Sequence, residues 1–286
     1  LNSQNGAVDG LAFTSSDLLT YDTAAGAWSF YFEGSSAGIT QTVDGFFLES
    51  DGSLLLSLGS EQSLPGLGLV DDSDIVRFTP ASLGVPTSGV FTMVLDASDV
   101  GLDNSNENID AIGRAPDGRL LVSVSGSFSA GVIGGDEDLF VFSATQLGDA
   151  TAGSWAMYFD GSDVGLATGT SEDIDGIWVD PNTGYLYLGT IGDFAAGVGF
   201  GGDKNDVFVC APVSLGSETT CTLALFWDGG AHGLSDGSLR GFALAPAATM
   251  TGAQMRLMVQ ETEPSQVQAG DQTIKLLLPF IAVPQG

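Results

Sequence analysis

Apolar positions along this chain come in short runs, each ending at a cluster of Gly, Pro, Asn or Asp. The stretch from Ile174 shows the pattern. IDGIWVD (Ile174 to Asp180) is largely apolar and stops at Pro-Asn-Thr-Gly, and YLYLGT (Tyr185 to Thr190) follows. After a glycine-rich loop come DVFVC (Asp206 to Cys210) and CTLALFWDG (Cys221 to Gly229). Four short runs with turn residues between them predict four strands of an antiparallel sheet.

The pattern recurs. Asp138 to Leu166 reads DLFVFSATQLGDATAGSWAMYFDGSDVGL, Asp74 to Leu102 reads DIVRFTPASLGVPTSGVFTMVLDASDVGL, and Asp206 to Leu234 reads DVFVCAPVSLGSETTCTLALFWDGGAHGL. Asp17 to Ile39 is a shortened copy. First strands are expected near Val43, Ile109, Ile174 and Leu239, and their second residues, Asp44, Asp110, Asp175 and Arg240, lie 66, 65 and 65 residues apart. Four strands in a unit of roughly 65 residues, repeated, is the plan of a β-propeller blade. The expected fold is therefore all-β: a propeller over residues 1–261, then a polar spacer and an apolar strand over 262–286. Counting first strands, with VDGLAF (Val8 to Phe13) as the N-terminal one, gives five blades with incomplete terminal ones; the alternative is four, the last shared between the two ends. The N-terminal unit offers VDGLAF, DLLTY and WSFYFEG, and the C-terminal one LRGFALA, MRLMVQE and TIKLLLPFIAV. On this repeat pattern the chain resembles secreted prokaryotic β-propeller repeat proteins, which implies the architecture and says little about activity.

The two cysteines fit the repeat. Cys210 stands where Phe142 and Phe78 stand, and Cys221 where Gly153 and Gly89 stand, 11 residues apart each time. An aromatic ring can cover a strand glycine across a hairpin. Replacing that pair by two cysteines predicts a Cys210–Cys221 disulfide, in keeping with an oxidising compartment.

Charge narrows the partners. Thirty-six acidic residues against 7 basic give a formal net charge of -29, which argues against nucleic acid and anionic membrane. No apolar run is long enough to cross a bilayer as a helix. The chain begins at Leu1 and not at Met, so removal of a leader and an extracellular or cell-surface location are expected.

Carboxylates are the abundant reactive groups. One set recurs before each third strand: Asp71, Asp72 and Asp74; Asp136, Glu137 and Asp138; Asp203 and Asp206. Such hard oxygens would suit Ca²⁺, and hydrated turn aspartates are the competing reading. A second set, Asp44, Asp110 and Asp175, would converge on a central channel. There it would serve structure, bind a cation or a sugar, or at the right separation hydrolyse a glycoside. His232 is the one histidine, which rules out a metal centre built on several. No catalytic constellation and no phosphate-binding loop is present, so no enzyme is expected. Trp28 and Trp155 share a repeat position with Phe91 and Leu223, which reads as packing and not as a sugar platform.

The C-terminal run, with Ile274, Leu276, Leu277, Leu278, Phe280 and Ile281, would either complete its own ring or be donated to a neighbouring copy. The expected function is a non-enzymatic extracellular structural protein, the self-associating subunit of a filament, sheath or layer. A calcium-dependent adhesin or glycan-binding propeller is the alternative.

Overall fold

A computed structural model describes residues 6–8, 10–22, 25–169, 171–197, 199–232, 237–244 and 276–282. The fold is all-β. In chain order the strands are β1 (Gly6–Val8), β2 (Leu11–Phe13), β3 (Leu18–Asp22), β4 (Ala27–Phe32), β5 (Val43–Leu48), β6 (Leu54–Leu58), β7 (Gln62–Leu64), β8 (Gly68–Val70), β9 (Ile75–Ser82) and β10 (Ser88–Leu95). They continue as β11 (Ile109–Arg114), β12 (Leu120–Val124), β13 (Leu139–Gln146), β14 (Ala152–Phe159), β15 (Ile174–Val179), β16 (Leu186–Thr190), β17 (Val207–Ser214), β18 (Thr220–Trp227), β19 (Gly237–Leu239) and β20 (Leu276–Ala282).

Sixteen of these strands form four antiparallel four-stranded sheets: β5-β6-β9-β10, β11-β12-β13-β14, β15-β16-β17-β18 and β19-β20-β3-β4. Among the described residues the two ends of the chain share the fourth sheet. Backbone pairing sets β20 between β19 and β3, with Leu277 opposite Thr20 and Ser238 opposite Ile281. The apolar C-terminal strand thus finds its ladder inside its own chain. Ile274 and the proposed spacer up to residue 275 lie outside the described residues. VDGLAF, expected as one strand, is instead the hairpin β1–β2, with Gly10 at φ 80°. LRGFALA is likewise cut short: β19 ends at Leu239, and Gly241 at φ 68° turns the chain against Phe46.

Burial explains the composition of the strands. β6 (LLLSL) and β12 (LLVSV) are buried at every position, as central strands covered on both faces must be. β10, β14 and β18 mix buried and exposed positions, as outer strands do. The core lies between sheets. Leu55, Ile75 and Leu95 of the first sheet pack with Ile112, Val122 and Phe140 of the second. Leu121, Leu139 and Val141 of the second pack with Ile177, Leu188 and Phe208 of the third. Val207 and Trp227 of the third join Leu19, Trp28 and Leu239 of the shared sheet, and Leu18 and Phe32 of the shared sheet join Phe46, Leu54 and Phe78 of the first. Among the first strands, β11 lies against both β5 and β15.

Hydrogen bonds stitch the same junctions at both ends. Towards the centre, the N–H of Val43, Ile109, Ile174 and Leu239 donates to the carbonyl of Ser15, Asp72, Asp136 and Lys204, each in a turn of the preceding sheet. At the outside, Phe32, Leu95 and Phe159 form parallel bridges to Gly84, Gly148 and Gly216. These glycines sit at φ 87°, 101° and 100°, which explains why a glycine recurs at this place in the three outer hairpins β9–β10, β13–β14 and β17–β18. Thr87, Thr151 and Thr219 complete the contact by accepting from the N–H of Glu33, Asp96 and Asp160.

The disulfide links Cys210 and Cys221, with Cα atoms 5.3 Å apart. In the sibling sheets a Cβ added at Gly89 or Gly153 would lie 2.5 Å from Cζ of Phe78 or Phe142, so the ring does cover the glycine. Phe91 and Trp155 pack on those rings at 5.0 and 4.6 Å. Cys210→Ser with Cys221→Ser is expected to cost about 2–3 kcal/mol, read as a lower urea midpoint. Cys210→Phe with Cys221→Gly, which rebuilds the sibling pair, should recover most of that loss. Failure of the second variant to exceed the first would refute the equivalence of the two pairs.

Candidate functional site

The acidic residues that precede each third strand divide into two kinds. Asp17, Asp74, Asp138 and Asp206 are buried, and each uses both carboxylate oxygens on backbone N–H groups. One oxygen accepts from the residue three positions earlier: Thr14 at 2.7 Å, Asp71 at 2.9 Å, Gly135 at 2.8 Å and Asp203 at 3.0 Å. The other accepts from the loop after the fourth strand: Gly34 at 2.9 Å, Ala97 at 3.0 Å, Gly161 at 2.9 Å and Gly229 at 3.3 Å. Burial pushes the carboxyls of Asp74, Asp138 and Asp206 up, and these N–H bonds pull the other way.

Their neighbours make separate local contacts. Asp71 accepts from Asp72 N, Asp203 from Asn205 N, Asp136 from Gly169 N, and Glu137 from the Thr168 hydroxyl. Burial, followed by the adjacent Asp71, raises Asp72 to about 6. Among the described residues no group of three or more His, Cys, Asp or Glu side chains is placed to hold a metal ion. None of the three turn clusters expected to bind calcium groups three of its carboxylates in this way. Asp74, Asp138 and Asp206 fasten turns, where the sequence reading allowed only a cation or water.

The second set does come together. Asp44, Asp110 and Asp175 occupy equivalent positions on β5, β11 and β15, and are 6%, 3% and 1% exposed. Arg240, which takes the fourth equivalent position, donates to Asp44 at 3.0 Å. Two further polar side chains complete the cluster, Asn108 and Asp173. Each lies two residues before its aspartate, just ahead of the strand. Asn108 donates to Asp44 at 3.1 Å, and Asp110 and Asp173 are close enough to share a hydrogen bond. Burial pushes Asp110 and Asp175 well above the usual carboxylate range, reinforced at Asp110 by the charges of Asp173, Asp44 and Asp175. Burial, with Asp136 adding to it, raises Asp173 to about 7. Burial also raises Asp44 against the pull of Arg240 and Asn108. Side chains this enclosed offer no face to a sugar ring.

Some structural carboxylates escaped the sequence reading. Glu107, fully buried, accepts from Asp103 N and Ser129 N and thereby ties two loops. Glu172 does the same for Ala167 N and Ala195 N. The signal was present, since Glu107 and Glu172 each stand three residues before the repeated Asp110 and Asp175. His232 stacks on Trp227 at 5.0 Å, meets Tyr21 edge-on at 5.9 Å, and its Nδ1 contacts the Asp228 carbonyl at 2.8 Å. It packs the junction between the third and shared sheets.

No protein-family model matches this chain, and no curated protein matches it either.

Asp138→Ala leaves two buried N–H groups without an acceptor and is expected to cost about 2–4 kcal/mol. Chemical denaturation measures this. A loss no larger than that of the exposed Asp149→Ala would contradict the fastening role.

Proposed function

We propose that this chain is a non-enzymatic extracellular β-propeller of four blades, acting as a structural subunit of a surface filament, sheath or layer. The observation that carries the reading is what the recurring carboxylates do: they fasten backbone turns or lie buried at the centre, and neither arrangement serves a substrate. Four equivalent sheets that pack in succession, the fourth against the first, support the propeller and favour four blades over five. The disulfide supports an oxidising, extracellular setting, and no helix among the described residues is long and apolar enough to cross a membrane.

Assembly would run through sheet edges. β4, β10, β14 and β18 each pair with one strand among those described, and beyond the glycine bridges at Phe32, Leu95 and Phe159 no described strand covers their outer edges. Val90 on β10, Val213 on β17 and Leu225 on β18 are 61%, 79% and 48% exposed. Because β20 pairs within its own chain, edge contacts are a better basis for assembly than a donated strand. The calcium-dependent adhesin has less support, since the acidic turns offer no ligand cage.

Negative-stain electron microscopy of concentrated protein, with and without chelator, tests the reading. Regular fibres or layers are expected, and Val90→Lys with Leu225→Lys should disperse them while leaving the unfolding temperature unchanged. Single dispersed particles at every concentration would overturn the structural role.

A further inference from the structure

The central cluster holds more negative charge than its surroundings can answer. The groups facing it are Asp44 from β5, Asn108 and Asp110 from β11 and its approach, Asp173 and Asp175 from β15 and its approach, and Arg240 after β19. From the turns, Asp136 acts on Asp173, and Asp72 feels Asp44. Lys204 holds the equivalent turn position of the third sheet, where its backbone carbonyl receives Leu239 N. Arg240 is the cation whose charge reaches all four aspartates, and its guanidinium is bonded to Asp44. Arg240 Nε is also buried and unpartnered, and the rest of the cluster presents acceptors: Oδ1 of Asn108, Asp110 and Asp173, and both oxygens of Asp175, are buried and unpartnered.

We propose that this cluster is a proton store, in which Asp110 is a neutral acid donating its hydrogen bond to Asp173 and Asp175 is neutral beside it, so that the sheets meet most stably at the centre while those protons are bound. Two carboxyl groups share a hydrogen bond only when one carries the proton. Ionising all four aspartates would bury several like charges against one guanidinium, an arrangement that protonation relieves. A buried metal ion is the rival occupant, and no three acidic side chains among the described residues are placed to hold one. This inference is independent of whether the protein assembles.

The pH dependence follows from the direction of the shifts. An aspartate raised in the fold binds its proton at a pH where the unfolded chain, near 3.9, has released it. Its contribution is complete below about pH 4 and is lost as pH rises through the folded value. Asp173 loses its share as pH rises through about 7, and Asp110 and Asp175, raised in the same direction, add to the decline.

Thermal unfolding of the full chain in chelator tests this. The unfolding temperature is expected to fall by roughly 5 °C or more between about pH 4.5 and 8. Asp110→Asn and Asp175→Asn should flatten the decline, whereas Asp149→Asn, which removes an exposed charge, should keep the wild-type slope. Should the asparagine variants fail to fold, carbon-13 spectra of aspartate-labelled wild type decide, with protonated carboxyl signals expected at about pH 6. Unchanged slopes in both variants, or no protonated aspartate at that pH, would overturn the proposal. Calcium that restores the wild-type unfolding temperature at about pH 8, and not that of the variants, would also overturn it, by assigning the cluster to a cation.

Discussion

The pair of backbone N–H bonds accepted by each buried turn aspartate is the contact on which the architecture rests. Asp74 shows the chain of consequences. Its carboxylate holds the turn that starts at Asp71 and reaches Ala97, where the fourth strand of the same sheet ends. Within that turn the Asp72 carbonyl points at the next sheet and receives Ile109 N, the first residue of β11. Asp138 fixes the Asp136 carbonyl for Ile174, Asp206 the Lys204 carbonyl for Leu239, and Asp17 the Ser15 carbonyl for Val43. One side chain per unit closes its own sheet and presents the acceptor that docks the next. A neutral side chain would hold such N–H groups less strongly, because hydrogen bonds to a carboxylate are the stronger kind.

The centre answers a different constraint. Repetition brings one residue from every sheet to the same place, so an aspartate repeated without exception would bury four like charges. Arg240 breaks the repetition and bonds to Asp44. That exchange relieves one of the central acids and leaves Asp110, Asp173 and Asp175 to be stabilised some other way. The two acidic sets therefore behave oppositely: the turn aspartates meet backbone donors and fasten turns, whereas Asp110, Asp173 and Asp175, unlike Asp44, keep buried oxygens without a donor and hold their protons.

Departures from symmetry collect where the ends of the chain meet. Three outer junctions repeat the bridge from an aromatic or leucine residue to a left-handed glycine, sealed by a threonine. Two of them add an aspartate, Asp99 or Asp163, that accepts from that threonine's N–H. Ala231 stands where Asp163 would, and the described contacts at that junction are instead the rings of Trp227, His232, Tyr21 and Trp28. Ring packing replaces the hydrogen-bonded latch where the unit is assembled from both termini.

The all-β class, the four-strand unit, the starts of β5, β11 and β15, and the Cys210–Cys221 bond were legible in the chain before folding, because each depends on spacing that a repeat makes visible. It also marked Asp17, Asp74, Asp138 and Asp206 as the opening residue of every copy. Their role could not be read there, since one oxygen's partner lies in the next loop but one and only folding brings it near. Folding alone shows that the two ends share a sheet, that Asp17, Asp74, Asp138 and Asp206 fasten backbone, and that Asp173 and Asn108 join the central aspartates. Those facts depend on which surfaces meet and how far water is excluded, and hydrophobic spacing along a chain carries neither quantity.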